Sequence, residues 1–261
     1  MDQETVGAYL ERIGAARPAR PTLEALRDLH LRHLRTVPFE NLSIWLDEPL
    51  VLDEAALADK IVRRRRGGIC YELNGLFAEL LRALGFTVSV LAARTVTDGG
   101  WLTPPFTHLA LLVDLEDRYL ADLGAGAYPR YPLRLDSREP QPDPAGEFLV
   151  VDVPAGDVVV MMDGVPQRRI ELRPRELSDF VPSCWWHEQS PRSQFTRGLV
   201  CSILTETGRV TLSGNRLFVT EAGERTETTL DGDDAILAAY RKYFGMELER
   251  PPVSPPTVTI I

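Results

Sequence analysis

The sequence has few cysteines and no long hydrophobic run. Its three cysteines, Cys70, Cys184 and Cys201, are odd in number and widely spaced, which fits neither a disulfide framework nor a zinc knuckle. No segment approaches the roughly 20 consecutive apolar residues of a membrane span. The N-terminus is acidic and helical rather than signal-like. We therefore expect a cytoplasmic protein with free thiols and no membrane partner.

Positive charge is also in short supply. Lys and Arg total 29 against 38 Asp and Glu, which gives a net charge of −9. This balance disfavours nucleic acid or an anionic membrane as a partner. The sequence contains neither of the two glycine-rich patterns that hold nucleotide phosphates at a helix N-terminus. The arginine run from 63 to 66 therefore needs a local explanation.

The hydrophobic pattern changes from helical to strand-like near residue 86. Amphipathic helices are predicted in the first third, with Thr22 and Asp53 as N-caps and the clearest helix at 70–85. Alternating apolar segments then predict strands, interrupted by a connection rich in Pro and charge at 129–146. A final helix is predicted near the C-terminus, at 233–245.

This order of elements indicates an α+β fold in about three parts. A length of 261 residues permits either one large core or two to three small ones. The first part is helical and covers 1–85, and the second is strand-rich and covers 86–180. The third is mixed and covers 181–261, including a Pro-rich tail.

Cys70 is the first candidate for a reactive group. It follows Gly67 and Gly68 and begins the predicted helix, where unpaired N–H groups and the helix dipole favour a thiolate. Two glycines would also let a substrate approach the backbone closely. A buried, unreactive thiol is the commoner fate of a free cysteine. The assignment therefore depends on whether Cys70 has catalytic partners.

His108 and Asp122 are the candidate partners. His108 opens one apolar strand and Asp122 ends the next, and a turn near residues 115–118 makes them near cross-strand partners. An acid that orients an imidazole, and an imidazole that pairs with a thiolate, form a cysteine triad. By contrast, His30 and His33 lie within a helical apolar pattern, which predicts a structural or surface role.

The sequence offers little for a metal. Cys184 and His187 make at most half of a metal-binding pair, because a closed zinc site needs four ligands. We predict no metal, and we expect Trp185 and Trp186 to line a core or an acceptor pocket.

Four blocks of the sequence resemble the arylamine N-acetyltransferase family. They are VPFENL at 37–42, RRGGICYELNGLF at 65–77, THLALLVD at 107–114 and ADLGAG at 121–126. The resemblance is continuous over about 9–135, with weaker matches beyond. It implies an N-terminal helical bundle, a central β-barrel and a C-terminal α/β lid, with a papain-like triad between the first two parts.

The resemblance also implies roles for individual residues. Cys70 matches the nucleophile, His108 the base and Asp122 the orienting acid. Glu40 and Arg65 match a buried ion pair that supports the site. The positions implied to contact substrate are Phe39, Gly68, Ile69, Thr107, Gly124, Ala125, Gly126 and Ala127.

The reaction implied by the resemblance is ping-pong acyl transfer. An acyl group passes from a thioester to Cys70 and then to a small-molecule aryl amine or hydrazine, which forms an amide. No tightly bound cofactor is implied, because the thioester is a co-substrate. The enzyme must exclude water from the acyl-enzyme for longer than it excludes the amine.

Departures from the family pattern bear on the acyl group. Ala125 replaces a usual Phe, Ala127 replaces a usual Gly, and the segment at 183–191 is also altered. These changes favour the amide synthase branch, which takes a polyketide from an acyl carrier protein and cyclises it into an ansamycin-type macrolactam. Acetyl transfer from acetyl-CoA to an arylamine is the alternative.

Two further classes remain open at this point. A papain-like cysteine hydrolase could use the same three residues if water reached the acyl-enzyme. A noncatalytic binding protein could keep the same fold, but the presence of all three triad positions argues against it.

Overall fold

The computed structural model describes residues 1–124 and 129–252. Side-chain caps open the helices where the sequence predicts them. The Thr22 hydroxyl accepts a hydrogen bond from the Ala25 N–H at 3.2 Å, and Asp53 accepts one from the Ala56 N–H at 2.8 Å. The N-terminal helices are α1 (Gln3–Arg12), α2 (Leu23–Thr36), α3 (Leu42–Leu46), α4 (Glu54–Ala58), a π-helical turn (Asp59–Arg63) and α5 (Cys70–Ala83).

An eight-stranded antiparallel sheet follows helix α5. Its strands are β2 (Thr87–Thr95), β3 (His108–Asp114), β4 (Arg118–Ala121), β5 (Leu133–Arg134), β6 (Gln141–Asp143), β7 (Gly146–Val153), β8 (Asp157–Met162) and β9 (Val165–Arg175). They pair in the order β5-β4-β3-β2-β9-β8-β7-β6. The Gln141 side chain links the two edge strands by two hydrogen bonds to the backbone of Arg134. Its amide oxygen accepts the Arg134 N–H at 2.8 Å, and its amide nitrogen donates to the Arg134 carbonyl at 2.9 Å. The sheet is therefore a nearly closed barrel.

Alternation along the strands separates an inner face of this barrel from an outer face. The inner face is an apolar cluster in which successive members of a strand are two residues apart. Its buried members are Leu91, Ala93, Ala110, Leu112, Leu120, Leu133, Leu135, Phe148, Val150, Val158, Val160 and Ile170. The outer face of β2, β3 and β4 packs against helix α5, which is buried along most of its length.

A second, five-stranded sheet contains residues from both ends of the chain. Strand β1 (Phe39–Glu40) pairs with β10 (Cys201–Leu204), which continues into β11 (Gly208–Ser213), β12 (Arg216–Glu221) and β13 (Glu224–Thr229). Helix α8 (Asp233–Phe244) packs against this sheet. In the sequence, β9 and β10 are separated by a 3₁₀ turn (Leu177–Phe180) and helices α6 (Val181–Gln189) and α7 (Gln194–Arg197).

Most of the predicted elements are present, and the structure also contains short or exposed strands that were not predicted. Strand β13 is absent from the prediction because its residues are polar and exposed on both faces, so no alternation marks it. The predicted connection at 129–146 contains the short strands β5 and β6. The mixed helical and antiparallel architecture is the α+β fold that the sequence predicts. The division at residues 85 and 180 stays a prediction, and strand β1 joins the first part to the third.

Across residues 1–124 and 129–252, no helix is both long and apolar enough to cross a bilayer.

Candidate active site

His108 and Asp122 lie at one end of the barrel, joined by a hydrogen bond. In the pairing of strands β3 and β4, Leu111 lies opposite Ala121. When this register is extended, Asp122 is two residues away from the position directly opposite His108, so the two side chains share a face of the sheet. The His108 Nε2 and Asp122 Oδ2 atoms are 2.6 Å apart. Because an ionised carboxylate only accepts, Nε2 carries the proton, and Nδ1 is left as the acceptor.

Asn74 fixes the carboxylate of Asp122 from helix α5. Its amide nitrogen donates to Asp122 Oδ1 at 2.9 Å and to the Leu109 carbonyl at 2.7 Å. Its amide oxygen accepts the Leu123 N–H at 2.8 Å. The Gly124 N–H also donates to Asp122 Oδ1, at 2.8 Å. Asn74 belongs to the motif block at 65–77, but sequence reasoning gave it no role.

The pKa of Asp122 shows the effect of these contacts. Burial alone raises the pKa of a carboxyl, but here the charge and hydrogen bond of His108, with Arg168 and Asn74, outweigh it and lower the pKa to about 2. Burial lowers the pKa of His108, and the charge of Arg168 lowers it further, against the opposing effect of Asp122. Asp122 is therefore ionised beside a neutral imidazole near neutral pH.

Cys70 is the first residue of α5 and is 2% exposed. Burial raises the pKa of its thiol to about 12, although backbone hydrogen bonds from Leu109 and Tyr71 act in the opposite direction. Burial therefore opposes the thiolate that the helix N-terminus favours. The resting thiolate stays a prediction.

A cavity of about 330 Å³ opens onto both Cys70 and His108. This volume is within the range of small-molecule sites. Its wall is built from the helix α5 terminus, the end of the barrel and the segment around α7. The other lining residues are Phe39, Thr95, Thr107, Gly124, Arg168, Gln194, Phe195, Gly198, Leu199, Val200 and Ser213.

The cavity separates the predicted substrate positions into three groups. Phe39, Thr107 and Gly124 line it. Gly68 and Ile69 are not part of its wall, and their contact with substrate stays a prediction. Ala125, Gly126 and Ala127 lie outside the described residues, so the positions where the sequence departs from the family pattern remain predictions.

The two glycines before Cys70 allow close contact between protein segments. A Cβ on Gly67 would clash with the Pro38 carbonyl oxygen, and a Cβ on Gly68 would lie 2.7 Å from Glu72 Oε2. The Gly68 carbonyl accepts the Glu40 N–H at 3.0 Å. Ile69 is fully buried in the helical core. The segment is therefore held against strand β1.

The buried partner of Glu40 is Arg66, so the prediction of Arg65 is wrong by one residue. Arg66 Nε donates to Glu40 Oε1 at 3.1 Å, and the two residues are 3% and 0% exposed. Arg65 has a positive φ of 53° and an exposed side chain. This left-handed residue turns the chain between the π-helical turn and Gly67, and the turn directs the next arginine inward.

Two histidines outside the candidate triad contact its supporting backbone. His30 Nε2 accepts the Asp122 N–H at 3.4 Å, while its Nδ1 donates to the Arg130 carbonyl at 3.0 Å. His187 Nε2 donates to the Thr107 carbonyl at 3.0 Å. A structural role for His30 was predicted, and its burial excludes the surface alternative. Its link to Asp122 depends on tertiary packing and leaves no sequence signal.

The two tryptophans next to His187 were predicted to line a core or an acceptor pocket, and neither lines the cavity. Trp185 is 65% exposed, which excludes a core position as well, whereas Trp186 is half-buried against the ring of the buried His187. In the described part of the chain, no cluster of three or more His, Cys, Asp or Glu has the arrangement of a metal site.

Arg168 is the main cavity residue that sequence reasoning missed. It lies on β9 directly opposite Thr95 of β2 and donates a hydrogen bond to the Thr95 hydroxyl. Within QRRIELR, Arg168 shares the alternation of Ile170 and Leu172, which form the apolar side of the strand. An arginine on the apolar side of a predicted strand was the sequence signal that could have identified Arg168 as a site residue.

Substituting Gly124 with alanine is expected to lower the reactivity of Cys70. A Cβ at position 124 would lie 2.5 Å from the Cα atom of Cys70, so either the loop or the helix terminus must move. A shift of this kind costs on the order of 100-fold in rate. The rate of Cys70 alkylation by a thiol reagent would report it. Gly7→Ala is the matched control, since its Cβ meets nothing within 4 Å; equal rates in the two variants would contradict the expectation.

The ionisation of Asp122 predicts a pH-dependent stability. Its pKa is lowered from 3.8 to about 2, so its contribution is complete above the unfolded value and is lost as pH falls toward the folded one. We expect the stability difference between wild type and Asp122→Asn to shrink by about 1 kcal/mol between roughly pH 5 and pH 3. Urea unfolding at both pH values measures this. A difference that stays constant would show that the carboxylate is not stabilised as described.

Comparison with known proteins gives a consistent result. A family model described as N-acetyltransferase matches residues 22–253. An arylamine N-acetyltransferase of Escherichia coli is 35% identical over 250 residues, covering 92% of this chain and 88% of the relative. The structure of arylamine N-acetyltransferase from Salmonella typhimurium is similar with a TM-score of 0.87 at 32% identity, covering 94% of this chain and 92% of that one.

A third relative was solved with a ligand. The arylamine N-acetyltransferase of Mycobacterium marinum in complex with CoA has a TM-score of 0.83 at 32% identity, and 92% of each chain is covered. These matches span nearly the whole chain and agree with the four motif blocks. The chain therefore belongs to the arylamine N-acetyltransferase family and is an acyltransferase.

Proposed function

We propose that this protein transfers an acetyl group from acetyl-CoA to an arylamine, with Cys70, His108 and Asp122 as its catalytic triad. The observation that supports this most directly is the cavity lined by both Cys70 and His108, with Asp122 hydrogen-bonded to the imidazole. The fold of the relatives and their name support the reaction class.

In the first half-reaction the Cys70 sulfur attacks the thioester carbonyl. The thiol proton passes to Nδ1 of His108, which is the nitrogen left as acceptor by the bond to Asp122. The tetrahedral intermediate then collapses, the C–S bond to CoA breaks, and His108 returns the proton to the departing thiolate.

In the second half-reaction the amine nitrogen attacks the acetyl group on Cys70. His108 takes a proton from the amine and gives it to the sulfur of Cys70 as the C–S bond breaks. The products are an amide and the free thiol enzyme. Asp122 stabilises the imidazolium formed in each half and keeps the proton on Nε2 in between.

Acetyl-CoA is favoured over a carrier-bound polyketide as the donor. One similar structure holds CoA, and the cavity of about 330 Å³ suits a small acyl group with a small amine. The predicted amide synthase activity has no support among the relatives described above, which are named arylamine N-acetyltransferases. Its acyl carrier protein partner is equally without support.

Mass spectrometry of Cys70 tests the donor and the reaction together. The enzyme is exposed to acetyl-CoA without amine, digested and analysed, and an acetyl group on the peptide containing Cys70 is expected. Aniline should then remove the group and yield acetanilide. Reaction only with long acyl thioesters that carry an aryl amine would overturn the proposal in favour of the amide synthase. Release of free acetate in the presence of amine would overturn it in favour of a hydrolase.

A further inference from the structure

Side-chain hydrogen bonds hold the turn that precedes His108. The carbonyl groups of four successive residues in this turn each accept one such bond. In chain order, the carbonyls and their donors are Pro104 and Thr107 Oγ1, Pro105 and Ser183 Oγ, Phe106 and Tyr71 Oη, and Thr107 and His187 Nε2. Phe106 has a positive φ of 62°, which is unfavourable for a bulky residue. These contacts therefore stabilise a turn that the backbone alone disfavours.

Helix α6 supplies two of the four donors. Ser183 and His187 are one helical turn apart, so they lie on the same face of the helix. His187 is the buried one of the two, and its Nε2 atom is 3.0 Å from the Thr107 carbonyl oxygen. Because a carbonyl only accepts, Nε2 carries the proton. One imidazole therefore ties helix α6 to the peptide group between Thr107 and His108.

The other side of the His187 ring is also held. Its Nδ1 accepts the Ser193 hydroxyl at 3.1 Å, and the Ser193 oxygen accepts the Phe195 N–H at 3.1 Å. The ring of Phe195, which lines the cavity, packs against the imidazole with 4.7 Å between centroids. Burial lowers the pKa of His187 to about 4, so the ring is neutral near neutral pH, with one donor and one acceptor. Both are used, which fixes the orientation of the ring.

We infer that His187 is a positioning residue for His108. This rests on the proposed function, in which His108 is the base. The Thr107 carbonyl and the His108 nitrogen belong to one planar peptide group, so a bond to that carbonyl fixes the backbone from which the His108 side chain begins. Asp122 holds the far end of the imidazole, 2.6 Å from its Nε2. With both ends held, Nδ1 of His108 keeps its place relative to the Cys70 sulfur.

Substitution of His187 tests this in the first half-reaction. His187→Leu keeps a side chain of similar size but removes both hydrogen bonds. We expect the rate of Cys70 acetylation at saturating acetyl-CoA to fall about 10- to 100-fold, because a base misplaced by about 1 Å loses this much, with little change in KM. His187→Gln should recover most of the rate, since its amide has both a donor and an acceptor. A Leu variant at the wild-type rate, or a Gln variant as slow as the Leu variant, overturns the inference.

A matched control is available in the helical core. His33 is fully buried, and among the described residues neither of its ring nitrogens has a hydrogen-bond partner. Its ring packs against Tyr9 and Phe77. His33→Leu is the same substitution at another buried imidazole, and we expect it to keep close to the wild-type acetylation rate. Equal losses in His33→Leu and His187→Leu would show a general effect of removing a buried histidine, and the inference would be wrong.

Nuclear magnetic resonance of the histidine nitrogens separates this inference from the proposed function. The measurement uses wild type, so it needs neither turnover nor a variant that folds, and the chain has only four histidines to assign. Near neutral pH we expect His187 to carry its proton on Nε2 and none on Nδ1. The opposite tautomer could not donate to Thr107, and it would overturn the inference even if acetyl transfer is found.

A second signal reports the position of His108 itself. The proton between His108 Nε2 and Asp122 lies in a short hydrogen bond to a carboxylate and should resonate far downfield. We expect this resonance in wild type and in His33→Leu, and its shift or loss in His187→Leu. That dependence supports the inference even if acetyl-CoA does not acylate Cys70. An unchanged resonance in His187→Leu overturns it.

Discussion

Replacing Cys70 with alanine is expected to reduce acyl transfer by a factor of about 10⁴ or more, because the covalent intermediate can no longer form. The side chain is small, so the free energy of unfolding should change by only about 1 kcal/mol. Cys70→Ser should also be inactive, since a hydroxyl is a poorer nucleophile than a thiol and His108 must remove a less acidic proton. Rates of amide formation and urea unfolding curves measure the two effects.

Cys184 offers an internal control for this experiment. Cys184 is buried in the helical core and is not part of the cavity wall. Cys184→Ala should therefore transfer acyl groups at close to the wild-type rate. Wild-type turnover by Cys70→Ala would show that the nucleophile is a different residue, whatever Cys184→Ala does.

Replacing Arg66 with methionine is expected to destabilise the protein by about 3–5 kcal/mol. The substitution leaves the carboxylate of Glu40 fully buried without its ion-pair partner, and an uncompensated buried charge has a cost of this size. Its oxygens would keep only the Leu42 N–H, at 2.6 Å, among the close contacts described. Urea unfolding at neutral pH measures the loss.

The neighbouring arginine is the matched control for Arg66. Arg65 is exposed, so Arg65→Met should change the free energy of unfolding by no more than about 0.5 kcal/mol. The double variant Glu40→Gln with Arg66→Met should be more stable than Arg66→Met alone, because it removes the stranded charge. Equal destabilisation by Arg65→Met and Arg66→Met would contradict the assignment of the buried pair.

The parts of the site that could be predicted depend on local geometry. His108 and Asp122 are linked by one hairpin, and a short turn determines their register. The start of helix α5 at Cys70 follows from a hydrophobic repeat and two glycines. Interactions between residues that are close in sequence produce a repeating pattern of apolar residues, and such a pattern can be recognised in a single sequence.

The parts that could not be predicted depend on packing between distant segments. Choosing between Arg65 and Arg66 requires the backbone turn at Arg65, and a difference of one residue changes which side chain is buried. The contact of His30 with Asp122 spans 92 residues. The Cys70 pKa depends on how deeply the thiol is buried, and a helix start does not specify this.

The largest difference between the prediction from sequence and the comparison with known proteins concerns the identity of the acyl group. The amide synthase prediction depends on Ala125 and Ala127, which lie outside the described residues, and on the altered segment at 183–191. Most of that segment lies in α6, where His187 donates a hydrogen bond to the Thr107 carbonyl. The altered segment therefore contains a supporting contact of the backbone next to His108.

The two-residue strand β1 has a consequence for how the protein can be divided. Glu40 pairs with Cys201 on one side, and Phe39 bridges to Gly68 on the other. A continuous backbone connection thus runs from the C-terminal sheet to a point two residues before the nucleophile. A fragment that ended near residue 180 would lack one wall of the cavity and would leave β1 as an open strand edge. The cavity wall therefore needs the C-terminal sheet as well as the start of helix α5, and neither half should be assayed alone.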